Sequence, residues 1–425
     1  MIRLYERDSF SFEKVQNTGA ANAEVVKEVS AIIASVRKWG DESLREYGVR
    51  FDGTAPDSFE VTRAEIEEAL ASLDPALRAV LEEAANNIRL FHRHQIRSGF
   101  TVTETDGVVL GQRVLPLEKV GIYVPGGTAA YPSTVLMNAI PASIAGVEEI
   151  IMVSPPSSDG RIKPVLLAAA HIAGVHRIFK TGGAQAIAAL AYGTETVPRV
   201  DKITGPGNVY VAEAKRQVFG QVGIDMIAGP SEVLIVADES ADASHVAADM
   251  IAQAEHDKNA SAMLVTDCDK LAKDVQKELE TQLDGLARRE IALASIENNG
   301  MIILVNDMAE AITIVNRLAP EHLELYTTEP FDLLSGVRNA GSVFLGGHTP
   351  EPLGDYFSGV NHTLPTSGTA RFASALSVDD FVKKMQFSYY TKEALQRDSK
   401  KVALFAQTEG LTGHAAAVTR RTGDW

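Results

Sequence analysis

Residues 119–154 read KVGIYVPGGTAAYPSTVLMNAIPASIAGVEEIIMVS, and this stretch decides the fold class of the 425-residue chain. A β-branched run, Lys119–Val124, opens onto a glycine-rich turn and is followed by an alanine-rich helical segment, Thr134–Ala145. A second β-branched run, Glu149–Val153, closes the unit. A strand, a helix and a strand in this order are typical of a βαβ unit in a parallel sheet.

The same alternation continues through most of the chain. Further short apolar runs predict strands at Arg177–Lys180, Val233–Ala237, Ala262–Thr266, Met301–Val305 and Ser342–Leu345. The segments between them predict helices at Ile162–Ala173, Ala184–Ala191, Ala243–His256 and Ala309–Leu318. Because so many elements would overfill one sheet, we predict two α/β domains with helices on both faces of their sheets.

The two ends of the chain differ from this pattern. Helical spacing predicts N-terminal helices over Ala21–Gly40 and about Thr62–Arg97, and the second begins with a capping-box sequence. The tail from about Asp379 has charged helical faces and no strand pattern, so we expect an arm that packs on another subunit. The predicted organisation is an N-terminal segment (1–20), a discontinuous first α/β domain (21–122 and 232–378), a second α/β domain inserted into it (123–231) and a C-terminal helical arm (379–425).

Composition excludes several classes of partner. The formal net charge of -16 disfavours nucleic acid and anionic membranes, although a locally basic pocket stays possible. No stretch reaches the roughly 18 consecutive apolar residues of a membrane span, and the N-terminus lacks the pattern of a signal peptide. The single cysteine, Cys268, cannot form an intramolecular disulfide or a cysteine-based zinc site. We therefore expect a cytoplasmic protein.

Three glycine-rich loops follow strand-like runs: KVGIYVPGG (119–127), TGGAQ (181–185) and TGPGNVY (204–210). Each could present backbone N–H groups to a phosphate at the start of a helix. None has the G-x-G-x-x-G fingerprint in the right context, so each loop by itself is more typical of a tight turn. Three such loops in one α/β layer favour a ligand crevice.

A second group of residues has the chemistry of metal ligands. Gln253 and His256 lie three residues apart in the helical run IAQAEHDK and therefore share a face. Their imidazole nitrogen and amide oxygen are donors that suit zinc, although this spacing alone is more typical of a surface pair. The other candidates, in GDYFSGVNH and EGLTGH, are Asp355, His362, Glu409 and His414.

Two adjacent titratable residues, Glu321 and His322, follow Pro320 in the sequence APEHL. A turn at the proline could direct both side chains into one cleft, where they could divide proton transfers between two steps. The alternative is a pair of exposed charges at the end of an element, and the local sequence alone favours it.

Taken together, these motifs resemble the histidinol dehydrogenase family. The matching stretches span residues 121–418 in order: GIYVPGGTAAYPSTVLMNAIPA, KTGGAQAIAALAYGTETVPRVDKITGPGNVYVAEAK, GIDMIAGPSEVLIVAD, QAEHD, APEHLEL, GDYFSGVNHTLPTSGTAR and EGLTGHAAAV. The resemblance implies two incomplete Rossmann-like domains, one inserted in the other, with N-terminal helices and a small domain-swapped helical arm that forms a homodimer.

The resemblance also implies a role for each matching residue. It implies one zinc ion per subunit, held by Gln253, His256, Asp355 and His414, the last being contributed by the partner subunit. It implies that the substrate contacts these four residues together with Ser231, His322, His362 and Glu409. It implies an NAD site in the inserted domain at Tyr123, Gln185 and Asn208, and a catalytic pair formed by Glu321 and His322.

The implied reaction is the four-electron oxidation of L-histidinol to L-histidine, the last step of histidine biosynthesis, with two NAD⁺ consumed per turnover. His322 is the natural base for the hydroxyl proton, and Glu321 can activate the water that hydrates the intermediate L-histidinaldehyde. The only thiol, Cys268, lies outside every motif, so a hydrate fits better than a thiohemiacetal. We expect zinc to anchor the substrate, whose imidazole and amine are good ligands.

Three alternatives remain open from the sequence. The first is a related zinc- and NAD-dependent dehydrogenase of another small polar alcohol. The second is a zinc hydrolase that activates metal-bound water and needs no NAD. The third is a binding protein without catalytic activity.

Overall fold

The structure is a computed structural model that describes residues 2–7, 9–12, 23–126 and 130–423. The chain divides into two compact units, one formed by residues 1–95 and 117–381 and the other by residues 96–116 and 382–425. Half of the predicted N-terminal segment and residue Gly127 of the first glycine loop lie outside the described residues.

The strands of the described residues are β1 (Arg3–Tyr5), β2 (Phe100–Val102), β3 (Val108–Pro116), β4 (Lys119–Tyr123), β5 (Glu149–Ser154), β6 (Arg177–Lys180), β7 (Lys202–Thr204), β8 (Gly223–Ile224), β9 (Glu232–Ala237), β10 (Ser261–Thr266), β11 (Met301–Leu304), β12 (His322–Tyr326), β13 (Ser342–Leu345) and β14 (Val382–Tyr390). All seven strands that the apolar runs predicted are present, each within one residue of its predicted bounds.

The α-helices are α1 (Ala23–Trp39), α2 (Asp41–Tyr47), α3 (Arg63–Ser72), α4 (Pro75–His92), α5 (Pro132–Ala145), α6 (Pro164–Ala173), α7 (Gly183–Tyr192), α8 (Val209–Val218), α9 (Ala243–Ala254), α10 (Asp269–Leu283), α11 (Arg289–Asn299), α12 (Met308–Leu318), α13 (Pro330–Leu334), α14 (Glu351–Tyr356), α15 (Lys392–Thr408) and α16 (Thr412–Thr422). The predicted capping box is confirmed, because Thr62 and Glu65 satisfy each other's backbone N–H groups at the start of α3.

The first unit contains a six-stranded sheet in the order β1-β11-β10-β9-β12-β13, with every pairing parallel. Its central strands are apolar on both faces because helices cover both sides. One face packs on α9, α10 and α11, and the other face packs on α12 and α13.

The first unit also contains a five-stranded parallel sheet in the order β6-β5-β4-β7-β8. The chain runs from β4 outward through β5 to β6, and then returns to place β7 on the opposite side of β4. The carboxyl ends of β4 and β7 therefore form a topological switch point, where parallel sheets usually bind ligands.

The N-terminal helices pack on this five-stranded sheet, whereas we had assigned residues 21–122 to the domain of the other sheet. The apolar stripe of α1, including Val29 and Ile32, belongs to the same buried cluster as α7 and α8. The predicted boundary at 122/123 also falls inside β4. The helices were assigned to the other sheet because an amphipathic helix shows which of its faces is buried but not which sheet will cover it.

The second unit contains an antiparallel sheet in the order β14-β3-β2 together with α15 and α16. The prediction of a C-terminal arm without strands is wrong, because β14 pairs with β3 over nine residues. All residues of β14 except Val382 are exposed. Its sequence, VKKMQFSYY, alternates apolar and polar residues over Met385–Tyr389, so a strand signal was present in a tail that we predicted to be helical.

Among the helices of the described residues, none combines the length and the apolar character needed to cross a bilayer.

Candidate active site

The carboxyl edge of the five-stranded sheet brings together the three residues predicted to bind NAD. Tyr123 ends β4, Gln185 lies in the first turn of α7, and Asn208 caps α8 by accepting the N–H groups of its first turn. All three line one cavity of about 730 Å³. The Gln185 Oε1 atom is buried without a hydrogen-bond partner, so this cavity holds an acceptor that a ligand could satisfy.

The glycine loops shape this cavity. Gly205 has a φ of 110°, and a Cβ atom there would collide with the carbonyl oxygen of Tyr123. The N–H of Gly183 donates to the Tyr123 hydroxyl at 3.1 Å, and burial raises the pKa of this tyrosine to about 12. The hydroxyl therefore stays protonated and can donate into the cavity.

Glu321 and His322 lie at the amino edge of the six-stranded sheet, where β12 begins beside β9. Both are buried, with 7% and 4% of their surfaces exposed, so the alternative of two exposed charges is wrong. They line one cavity, as predicted, although His322 already belongs to a strand.

The backbone of Glu232 holds both members of this pair. Its N–H donates to Glu321 Oε2 at 2.9 Å, and its carbonyl oxygen lies 3.0 Å from His322 Nδ1. Since a carbonyl can only accept, the Nδ1 atom carries the ring proton and Nε2 carries the lone pair. The Nε2 atom is buried without a hydrogen-bond partner.

Burial sets the protonation of the pair. It lowers the pKa of His322 to about 4, so this imidazole is neutral near pH 7 and able to accept a proton. Burial also raises the pKa of Glu321 well above its usual range, with smaller contributions from the charges of Glu232 and Asp355. An added positive charge in this cavity would favour the ionised form of Glu321.

A group of metal-type donors faces His322. Its Nε2 atom lies 3.6 Å from Glu351 Oε1 and 3.9 Å from Asp355 Oδ1, and the donor atoms of the three residues lie within 4.8 Å of one another. Gln253 in the last turn of α9 lines the same cavity. The Gln253 Oε1 and Glu351 Oε1 atoms are buried without partners, which fits an oxygen-rich cation site.

Glu351 is a residue of this group that no sequence motif indicated. It lies four residues before Asp355 in the first turn of α14, so the two carboxylates share a face of the helix. Burial and the charge of Asp355 raise the pKa of Glu351 to about 10. Only the four-residue spacing in EPLGD could have indicated this pair, and such a spacing is common on exposed helices.

Most of the predicted site residues meet in this cavity, whose volume is about 810 Å³. Its lining includes Asn208, Ser231, Gln253, His256, Glu321, His322, Asp355 and His362. The His362 Nε2 atom is another buried donor or acceptor without a partner. The predicted residues Glu409 and His414 lie in the second unit, at the end of α15 and in the first turn of α16, and both are exposed.

Two parallel sheets with a ligand crevice at a switch point, and a buried imidazole–carboxylate pair beside metal-type donors, are the features of an α/β oxidoreductase. A sequence model of the family described as histidinol dehydrogenase matches residues 15–422, and the chain belongs to this family.

Individual relatives agree with the family assignment. Histidinol dehydrogenase of Clostridium acetobutylicum is 50% identical over 99% of both chains, and that of Geobacillus kaustophilus is 55% identical over 92% of both. The crystal structure of histidinol dehydrogenase from Elizabethkingia anophelis superposes with a TM-score of 0.93 at 36% identity, covering 99% of this chain and 98% of that one. Membership of this family of oxidoreductases excludes the hydrolase and the non-catalytic binding protein.

Proposed function

We infer that this protein oxidises L-histidinol to L-histidine, the last step of histidine biosynthesis. The observation that supports this most directly is the buried, neutral His322, whose free Nε2 atom faces a cavity that also holds Glu321 and unpartnered metal-type donors. The overall reaction converts one alcohol, one water and two NAD⁺ into one carboxylate, two NADH and three protons.

His322 is the base in this proposal. Its Nε2 atom accepts the hydroxyl proton of the alcohol as the first oxidation forms the aldehyde, and later accepts a proton from the hydrate. The Nδ1 bond to Glu232 keeps the ring oriented and prevents the other tautomer.

Glu321 activates the water that hydrates the aldehyde. Its Oε2 atom is occupied by the N–H of Glu232, so Oε1 is the oxygen left to take a proton from the water. This division between two adjacent residues matches the two steps of the reaction, one requiring a base for an alcohol and the other a base for a water.

The cofactors are also part of the proposal. Tyr123, Gln185 and Asn208 would hold NAD, which supplies the hydride acceptor of both oxidations. Gln253, His256 and Asp355, with His414 of the partner subunit, would hold zinc, which supplies an anchor for the imidazole and amine of the substrate. The unpartnered Gln253 oxygen fits such an ion.

A homodimer whose subunits share their active sites is also part of the proposal. A swapped arm would bring Glu409 of the partner subunit to the substrate, where its carboxylate could pair with the ammonium or the imidazole N–H. The exposure of Glu409 and His414 within their own unit leaves both side chains available for this contact. The cytoplasmic location stays a prediction from the sequence.

The decisive experiment counts the NADH formed per L-histidinol consumed by zinc-loaded protein. Two NADH are expected, since the proposal requires both oxidations. One NADH would mean that the protein stops at the aldehyde, which would contradict the role of Glu321. No NADH, with NAD bound, would favour a dehydrogenase of another small polar alcohol.

A further inference from the structure

A stripe of polar side chains runs between α9 and β12. Residues four apart on a helix share a face, as do alternate residues on a strand. The stripe consists of His245, Asp249 and Gln253 on α9 and of His322, Glu324 and Tyr326 on β12. The intervening leucines of β12 face the opposite side of the sheet, where α12 and α13 pack.

The stripe has an outer, a middle and an inner pair. In the outer pair, His245 Nδ1 lies 3.1 Å from the Tyr326 hydroxyl and the two rings stack. In the middle pair, the carboxyl groups of Asp249 and Glu324 are hydrogen-bond partners. The inner pair consists of groups that line the catalytic cavity, Gln253 and His322.

The middle pair reaches a third element. Glu324 Oε1 accepts the N–H of Glu351 at 2.9 Å, and this N–H is one of the donors that the start of α14 leaves without a partner inside the helix. Asp355 lies one turn further along α14. The side chain of Glu324 therefore connects β12, on which it lies, to both α9 and α14.

A hydrogen bond between two carboxyl groups requires one of them to carry a proton. Glu324 is 3% exposed, and neither carboxyl group lines the catalytic cavity. The pair therefore makes no direct contact with a ligand in the cavity, and its geometric effect on the site runs through the elements that it joins.

We propose that the hydrogen-bonded Asp249–Glu324 pair is a positioning device. It holds α9 and α14 against β12 and so sets the spacing of the groups that these three elements contribute to the cavity. This role goes beyond the proposed function. It rests on the proposed function in one respect, since turnover of L-histidinol is the kinetic measurement that tests it.

The test compares variants that keep the hydrogen bonds with variants that remove them. Glu324→Gln can accept the N–H of Glu351 through its amide oxygen and donate to Asp249 through its amide nitrogen, so kcat/KM should stay close to that of the wild type. Glu324→Ala removes both contacts, and kcat/KM should fall about 10- to 100-fold, the usual cost of losing a residue that orients a ligating group. The affinity for NAD, measured by titration, should not change.

Asp249 provides a second pair of variants if Glu324→Ala fails to fold. Asp249→Asn can donate to Glu324 and should retain activity, whereas Asp249→Val has a similar shape but no hydrogen bond and should lose it. Glu310→Ala is the matched control, because Glu310 Oε2 accepts the N–H of Asn306 at 2.8 Å near the start of α12, outside the stripe. It should leave kcat and KM unchanged.

Two results would overturn the proposal. Full activity in Glu324→Ala and Asp249→Val would show that the pair positions nothing. Equal losses in the amide variants and the apolar variants would show that a charge, rather than the hydrogen-bonded geometry, is required. If instead the wild type forms no NADH from L-histidinol, the proposed function fails. The amount of metal bound per subunit in the purified variants then tests whether the pair sets the spacing of the metal-type donors.

Discussion

Replacing the side chain of Glu232 has an effect on the free energy of unfolding that can be calculated. The side chain can be changed by itself because the contacts with Glu321 and His322 come from the backbone. The backbone holds Glu321 and His322, while the side-chain Oε1 atom accepts the N–H of Ser367 at 3.0 Å. Burial raises the pKa of the Glu232 carboxyl from 4.5 to about 7. At about 1.4 kcal/mol per pH unit, ionisation of this group costs the folded protein up to about 3 kcal/mol. The figure is an upper limit, because the residue keeps some exposure.

The pKa values of the Glu232 carboxyl in the unfolded and the folded protein set the direction in which pH changes the stability. The folded protein holds this proton more tightly than the unfolded chain, so the stabilisation is complete below about pH 4.5 and is lost as the pH rises through about 7. The variant Glu232→Gln cannot ionise and keeps an oxygen for Ser367. Its free energy of unfolding should exceed that of the wild type by less than about 1 kcal/mol at pH 5 and by up to about 3 kcal/mol at pH 8.

Urea unfolding followed by circular dichroism at pH 5 and pH 8 measures this difference. Glu239→Gln is the control, since Glu239 is exposed just beyond the same strand and its replacement should not change the pH dependence. The backbone contacts of Glu232 with Glu321 and His322 are kept in Glu232→Gln. The reasoning is refuted if the variant is no more stable than the wild type at pH 8, or if the advantage is the same at both pH values.

The remaining predictions concern the reaction. His322→Asn can still donate to the Glu232 carbonyl but cannot act as the base. The kcat should therefore fall about 10²- to 10⁴-fold, with little change in melting temperature. A smaller loss of kcat in steady-state assays would mean that another residue is the base. Glu321→Gln should form one NADH per L-histidinol and release aldehyde, which a trapping reagent would detect; two NADH would contradict its role. Chelation of the metal should abolish turnover while NAD binding, measured by calorimetry, survives, and loss of both would contradict the division between the two cavities. Removing the residues after 378 should give inactive protein, and normal activity after truncation would refute a site shared between subunits.

Strands buried on both faces were predicted from the sequence, whereas β12, which carries the proposed base His322, was missed because its alternation over five residues is a weaker signal than a continuous apolar run. A strand covered by helices on both faces is a continuous apolar run, as in β9, and such runs are visible without any other information. The sequence of β12, HLELY, alternates polar and apolar residues. This pattern differs from the continuous apolar run of a buried parallel strand because one face of β12 carries the polar stripe. Local sequence rules fail most often at functional positions of this kind.

The candidate site, like the fold, was predicted only in part. The resemblance to the histidinol dehydrogenase family, rather than local spacing, selected Glu321, His322, Gln253 and Asp355, and these residues line one cavity. The role of Glu232 could not be predicted, because it acts through backbone atoms that meet the catalytic pair only when β9 and β12 pair in register.

The direction of the parallel strands explains why the two cavities suit ligands of opposite charge. At the carboxyl edge of the five-stranded sheet, α7 and α8 begin, and the partial positive charge of a helix N-terminus favours the phosphates of a dinucleotide. At the amino edge of the six-stranded sheet, α9 ends beside Gln253, and the partial negative charge of a helix C-terminus favours a cation. Asn208 lines both cavities, so the two ligands would meet there. In the proposed reaction, a hydride acceptor at the carboxyl edge of one sheet and a cation-anchored alcohol at the amino edge of the other would therefore meet at Asn208.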